Sequence, residues 1–60
     1  MDTFSVEITP DGDRLALWVP EIEHDTHVQF EDEVDLAARN LIYLHTGRPR
    51  KSFNLNFSWL

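Results

Sequence analysis

Asp32-Glu33-Val34-Asp35-Leu36-Ala37-Ala38-Arg39-Asn40-Leu41-Ile42-Tyr43-Leu44-His45-Thr46-Gly47 reads as one amphipathic helix. Val34, Ala37, Ala38, Leu41, Leu44 and His45 recur at 3.6-residue spacing and define the expected inner face. Asp32 is suited to cap the start, and Glu33 and Asp35 sit where the helix dipole favours acids. Gly47 fits a left-handed C-terminal cap, and Pro49 forbids continuation. Four residues after Pro49, Phe53, Leu55, Phe57 and Trp59 alternate with Asn54, Asn56 and Ser58. That period of two makes 52–59 a strand whose apolar row needs a core or a subunit interface.

Upstream, Phe4, Val6 and Ile8 alternate with Ser5, Glu7 and Thr9, which is again a half-buried strand. Pro10-Asp11-Gly12-Asp13 supplies turn chemistry, and Arg14 to Val19 forms the second arm of a hairpin. Pro20 lacks a backbone donor and stops that arm. Residues 20–25 then read as a loop, and Thr26-His27-Val28-Gln29-Phe30 as a short third strand. The order is β-β-β-α-β: an α+β fold, one domain over residues 1–60, with one helix on one face of a small sheet.

Sixty residues bury only about 60% of the surface exposed by the unfolded chain, so the core is thin. Domains of this size usually add a disulfide, a metal or a partner. The chain has no cysteine, which excludes disulfides and thiolate zinc sites and leaves association. Its longest apolar run, Leu15 to Val19, is far short of the ~20 residues of a membrane span. Met1-Asp2-Thr3-Phe4 has no basic, apolar leader character, so the expectation is a cytoplasmic protein without membrane contact.

Charge is segregated. The first 35 residues hold all eleven acids against Arg14 alone, a balance of −10; the remainder holds four bases and no acid, +4, for a net −6. Such an acidic half repels phosphate backbones, so direct nucleic-acid binding is disfavoured and a basic protein partner is favoured.

Trp18-Val19-Pro20-Glu21-Ile22 at the hairpin's end, the acidic helix entry, and Ala37-Ala38-Arg39 through Leu44-His45-Thr46-Gly47 and Pro49 resemble the HicB-like antitoxin family. The resemblance covers roughly residues 4–59 through short motifs. It implies a degenerate ribonuclease-H-like core that binds a small, basic ribonuclease toxin with a double-stranded-RNA-binding-like fold. Members often have a glycine soon after the Pro-acid-apolar step, where this chain has Glu23-His24-Asp25. Longer members append a DNA-binding segment for which this chain has no room.

Several constellations invite a chemical reading. Glu7, Asp11, Asp13 and Asp32 are carboxylates, but two-metal chemistry needs acids converging on a pair 3.5–4 Å apart, and solvated acids account better for them. His24 and His27 would point to opposite faces of a strand, which does not favour a metal site. His45 is expected on the inner stripe of the helix, without a neighbouring nucleophile. Arg48-Pro49-Arg50-Lys51 is a basic turn, explained most simply by attraction to the negative helix end. No catalytic residue, metal ligand or cofactor is expected.

The outer helix is different. Leu36 and Tyr43 lie nearly opposite the core stripe with Ile42 at its flank, and Trp18 faces away from Leu17 and Val19. These apolar groups favour an interface. The expected partner-binding set is therefore Trp18, Leu36 and Tyr43 as anchors, with Glu21, Glu23, Asp25, Glu31, Asp32 and Glu33 for steering and rim pairing. The leading expectation is a non-enzymatic module that neutralises or regulates a basic RNA-binding or ribonuclease protein. The alternatives are a phage-type accessory protein inhibiting a host nucleic-acid-binding enzyme by acidic mimicry, and a self-assembling homo-oligomer.

Overall fold

Alternation in the first strand sets the two faces of the sheet. In a computed structural model of the chain, which describes residues 2–60, β1 runs from Asp2 to Asp11 and buries Phe4, Val6 and Ile8 on one side. Gly12, at φ +64, makes the tight turn into β2 (Arg14–Val19). Asp11 pairs with Arg14 and Glu7 with Trp18, so the register of the turn fixes which residues share a face. β2 has the bounds the sequence indicates.

β3 spans His24–Val28, earlier than the expected 26–30. Two forces shift it. Glu23 takes a left-handed backbone, φ +54, and its N–H donates to the Val19 carbonyl at 2.9 Å, so the chain reverses early. At the other end the Glu33 carboxylate accepts from the N–H groups of Gln29 (3.2 Å) and Phe30 (3.0 Å), pulling both out of the ladder. A 3-10 turn, Glu31–Glu33, leads into α1 (Val34–Thr46). Asp32 is thus not the helix cap. Glu33 instead reaches back to Phe30, as the acid of a capping box does. Gly47, at φ +74, closes the helix with its N–H on the Tyr43 carbonyl.

β4 (Phe53–Trp59) returns parallel to β1, with Phe4 opposite Leu55 and Ile8 opposite Trp59. The sheet order is β3-β2-β1-β4, an α+β arrangement of four strands and one helix as the sequence implies. Across the helix-covered face, Phe4, Val6, Ile8, Leu17, Val19 and Phe53 meet Val34, Ala38 and Ile42. Each large group fully buried there contributes about 1.5–3 kcal/mol. Phe4 and Phe53 meet edge to face, with ring centroids 5.1 Å apart.

Three core assignments change. Ile42 is fully buried, whereas Leu44 and His45 are exposed. α1 leans towards β2 and β3, which turns the 34–38–42 row inward. His45 lies beyond the end of the sheet and stacks on His24, with ring centroids 3.6 Å apart. The same lean leaves β4 half covered: Phe53 is buried, but Phe57 and Trp59, expected in the inward row, remain exposed.

The basic turn after α1 is a brace. Arg39 donates from Nη1 to the carbonyls of Arg50 (2.7 Å) and Phe53 (3.0 Å) and from Nε to Asp35. Arg48 pairs with Asp2 at the start of β1. Arg50 lies over the Tyr43 ring, 4.3 Å from its centroid, and donates to Asn40 at 3.0 Å. The Arg48 side chain goes to Asp2 while its N–H donates to the Thr46 hydroxyl at 3.1 Å, and Arg50 meets the last helical turn through the Tyr43 ring.

Candidate protein-interaction surface

The residues of β1 and β2 that point away from the helix form the uncovered face of the sheet. Register places Glu7, Trp18 and Asp25 side by side across β1, β2 and β3. Directly opposed side chains in antiparallel pairs lie about 4.5–5.5 Å apart at Cβ. Trp18 is therefore a half-exposed indole, 38% accessible, flanked by two carboxylates. Neither acid takes part in an ion pair among the described residues.

Glu21 extends this face. In β1 the odd-numbered residues turn their backbone groups towards β2, but β2 ends at Val19 and leaves the Ser5 N–H without a strand partner. The Glu21 carboxylate takes its place, accepting from the Ser5 N–H at 3.0 Å and the Ser5 hydroxyl at 2.9 Å. Partial desolvation pushes the Glu21 carboxyl up. Hydrogen bonds from its own backbone, the Ser5 N–H and the Ser5 hydroxyl outweigh that and hold it below its ordinary value. Glu23 follows in the same turn, exposed.

The remaining expected anchors lie across the molecule. Leu36, 68% accessible, lines a shallow hollow of about 470 Å³ on the helix flank with Asp32, Glu33, Val28, Ala37, Asn40 and Arg50. Tyr43 stands next to it under the Arg50 guanidinium. The nine expected residues thus fall into two groups. Trp18, Glu21, Glu23 and Asp25 belong to the sheet side; Glu31, Asp32, Glu33, Leu36 and Tyr43 belong to the helix side. No single contact patch holds Trp18 together with Leu36 and Tyr43.

The carboxylates of Glu7, Asp11 and Asp32 are dispersed. Glu7 and Asp11 are four residues apart on one strand, about 13 Å, and Asp32 is on the helix side. Asp11 instead meets His27, Oδ2 to Nε2 3.1 Å. His24 and His27 face opposite sides of β3, and among the described residues no group of three or more potential metal ligands converges. No helix is long and apolar enough to cross a membrane.

No family model fits the sequence, and neither a curated protein nor a solved structure is significantly similar to it.

Two parts of the surface lie outside the expected partner-binding set. Glu7 becomes Trp18's neighbour through the two-residue Gly12-Asp13 loop, a register that the turn motif itself encodes. Phe57 and Trp59 form a second groove of about 180 Å³ with Ile8, Val34, Glu31 and Asp35. Alternation alone gives their face and says nothing of what covers it.

Proposed function

We propose that this chain is a non-enzymatic protein-binding module, acting in the cytoplasm, that neutralises or regulates a basic RNA-binding or ribonuclease protein. The observation that carries the reading is Trp18 held between Glu7 and Asp25 on the uncovered sheet face, with Glu21 close by. Arg39 and Arg48 are in ion pairs and Arg50 is stacked on Tyr43, all in the helix–β4 brace. The acids of the uncovered face are left to attract a cationic partner, with an indole as the desolvated anchor.

The resemblance to HicB-like antitoxins supports the same class of partner. The family's frequent glycine after the Pro-acid-apolar step also gains a physical counterpart here. Glu23, three residues after Pro20, adopts the left-handed backbone that glycine favours. The β-β-β-α-β order is the one the resemblance implies.

The test is capture from nuclease-treated lysate, at low and high salt, by wild type and by Trp18→Ala. The expected result is a basic protein held by wild type at low salt, released at high salt, and not held by Trp18→Ala. Capture indifferent to both salt and Trp18→Ala would overturn the reading, as would no capture at all.

A further inference from the structure

The outer edge of β4 is open for strand pairing. The Leu60 N–H donates to the Ile8 carbonyl at 2.8 Å. In a parallel ladder, alternate residues direct their backbone groups to the neighbouring strand. The even-numbered residues of β4 therefore serve β1, and the N–H and C=O groups of Phe53, Leu55, Phe57 and Trp59 point outward. Arg39 caps the Phe53 carbonyl. Among the described residues nothing caps the outward groups of Leu55, Phe57 and Trp59.

Sheet edges are normally blocked by charge, proline or a bulge. The β3 edge follows that rule with His24, Asp25 and His27 in five residues. β4 has none of these devices: seven residues without charge or proline, in unbroken register with β1. Its apolar row is bare as well, since Trp59 is 55% accessible and the groove it forms with Phe57 is empty of any side chain from this chain.

Charge along the strand axis selects the direction of the occupant. The end where β4 finishes holds Glu31 and Asp35 on the groove, with the Asp11–Asp13 turn nearby, because Asp11 and Ile8 lie at that end of β1. The end where β4 begins follows Arg48, Arg50 and Lys51, with Arg48 paired to Asp2. A second copy running parallel would set acidic end beside acidic end; one running antiparallel keeps those ends apart and lets the uncharged row of Leu55, Phe57 and Trp59 meet itself.

We propose that β4 pairs antiparallel with β4 of a second copy about a two-fold axis at Phe57, joining the two sheets into one of eight strands. In this register Leu55 opposes Trp59 of the second copy, and Phe57 opposes Phe57. All three outward-facing residues left open by Arg39 are used, and the apolar row of each copy covers the groove of the other. On the uncovered side Asn56 opposes Ser58, polar against polar. The two Trp18 faces then lie on one side of the joined sheet. The inference does not depend on the partner-binding reading, because it uses a different edge and face.

Sedimentation equilibrium and light scattering over a concentration series test it, on the full chain. Wild type is expected at about twice 7.1 kDa. Phe57→Pro removes an outward N–H that the β1 ladder does not use, and should weaken the dimer about tenfold or more. Trp59→Lys should do the same without altering the backbone, and circular dichroism checks that both remain folded. A wild-type monomer at the highest attainable concentration would overturn the proposal. A dimer insensitive to both Phe57→Pro and Trp59→Lys, or one lost on Trp18→Ala, would place the interface elsewhere and overturn it too.

Discussion

Along β1, adjacent residues experience opposite environments. Phe4, Val6 and Ile8 are buried under α1, while Ser5, Glu7 and Thr9 face an uncovered sheet surface. The covered side is apolar and closed by Val34, Ala38 and Ile42; the other side has charges, hydroxyls and a single indole. In a chain of 60 residues the first side supplies nearly all the stability, so the second is free to vary with function. The two faces should therefore separate cleanly under mutation.

The largest effect is expected from Ile8→Ala, which removes three buried carbons with no exposed path for relaxation and should cost about 3–4 kcal/mol. In so small a domain that is enough to populate the unfolded state, which urea titration followed by tryptophan fluorescence would report. Arg39→Ala comes next, at about 2 kcal/mol, because two carbonyls at the start of β4 lose a charged donor. Exchange of the β4 amides should accelerate more than that of the β1–β2 hairpin.

Glu23→Gly should have the opposite sign, stabilising by about 1 kcal/mol through relief of a left-handed glutamate; a higher melting temperature checks it. Glu21→Gln should cost only about 0.5–1 kcal/mol, given its exposure. Its sign with pH is set by the lowered carboxyl pKa. The contribution is fully present above the ordinary value of 4.5 and fades as pH falls through the lower folded-state value. Melting curves of wild type and variant should differ at pH 6 and draw together as pH falls below 4.5. Trp18→Ala, which removes an indole that is 38% accessible on an inner strand of the sheet, should cost about 1–2 kcal/mol, well short of Ile8→Ala, while abolishing capture of a basic protein. A large loss of stability there would show that the uncovered face is part of the core after all.

Much of this architecture is legible in the residues. The Gly12 turn gives the hairpin register, and Gly47 with Pro49 ends the helix where the structure ends it. Less legible is the rotation of α1 about its axis. Apolar residues occupy positions 34, 36, 37, 38, 41, 42 and 44, enough for more than one stripe. Only the lean towards β2 and β3 selects Ile42 over Leu44. The i,i+4 pair of Asp35 and Arg39 is readable, but the carbonyls that Arg39 also caps lie eleven and fourteen residues away and have no local signature. The candidate surface divided for the same reason: facing direction is local, but whether Trp18 and Leu36 share a surface depends on where the helix sits.

The position of β1 has a consequence for how the chain is made. β1 precedes the other three strands in the chain yet lies inside the sheet, and its parallel partner is the last of the four; Asp2 pairs with Phe53, about fifty residues later. Closing so long a loop is slow relative to forming the local β1–β2 hairpin. Until β4 arrives, Phe4 lacks the Phe53 ring and one side of β1 has no hydrogen-bonding partner. A ribosome-bound nascent chain should therefore hold a hairpin and a fraying helix, and acquire its core only when residues 53–59 have left the exit tunnel.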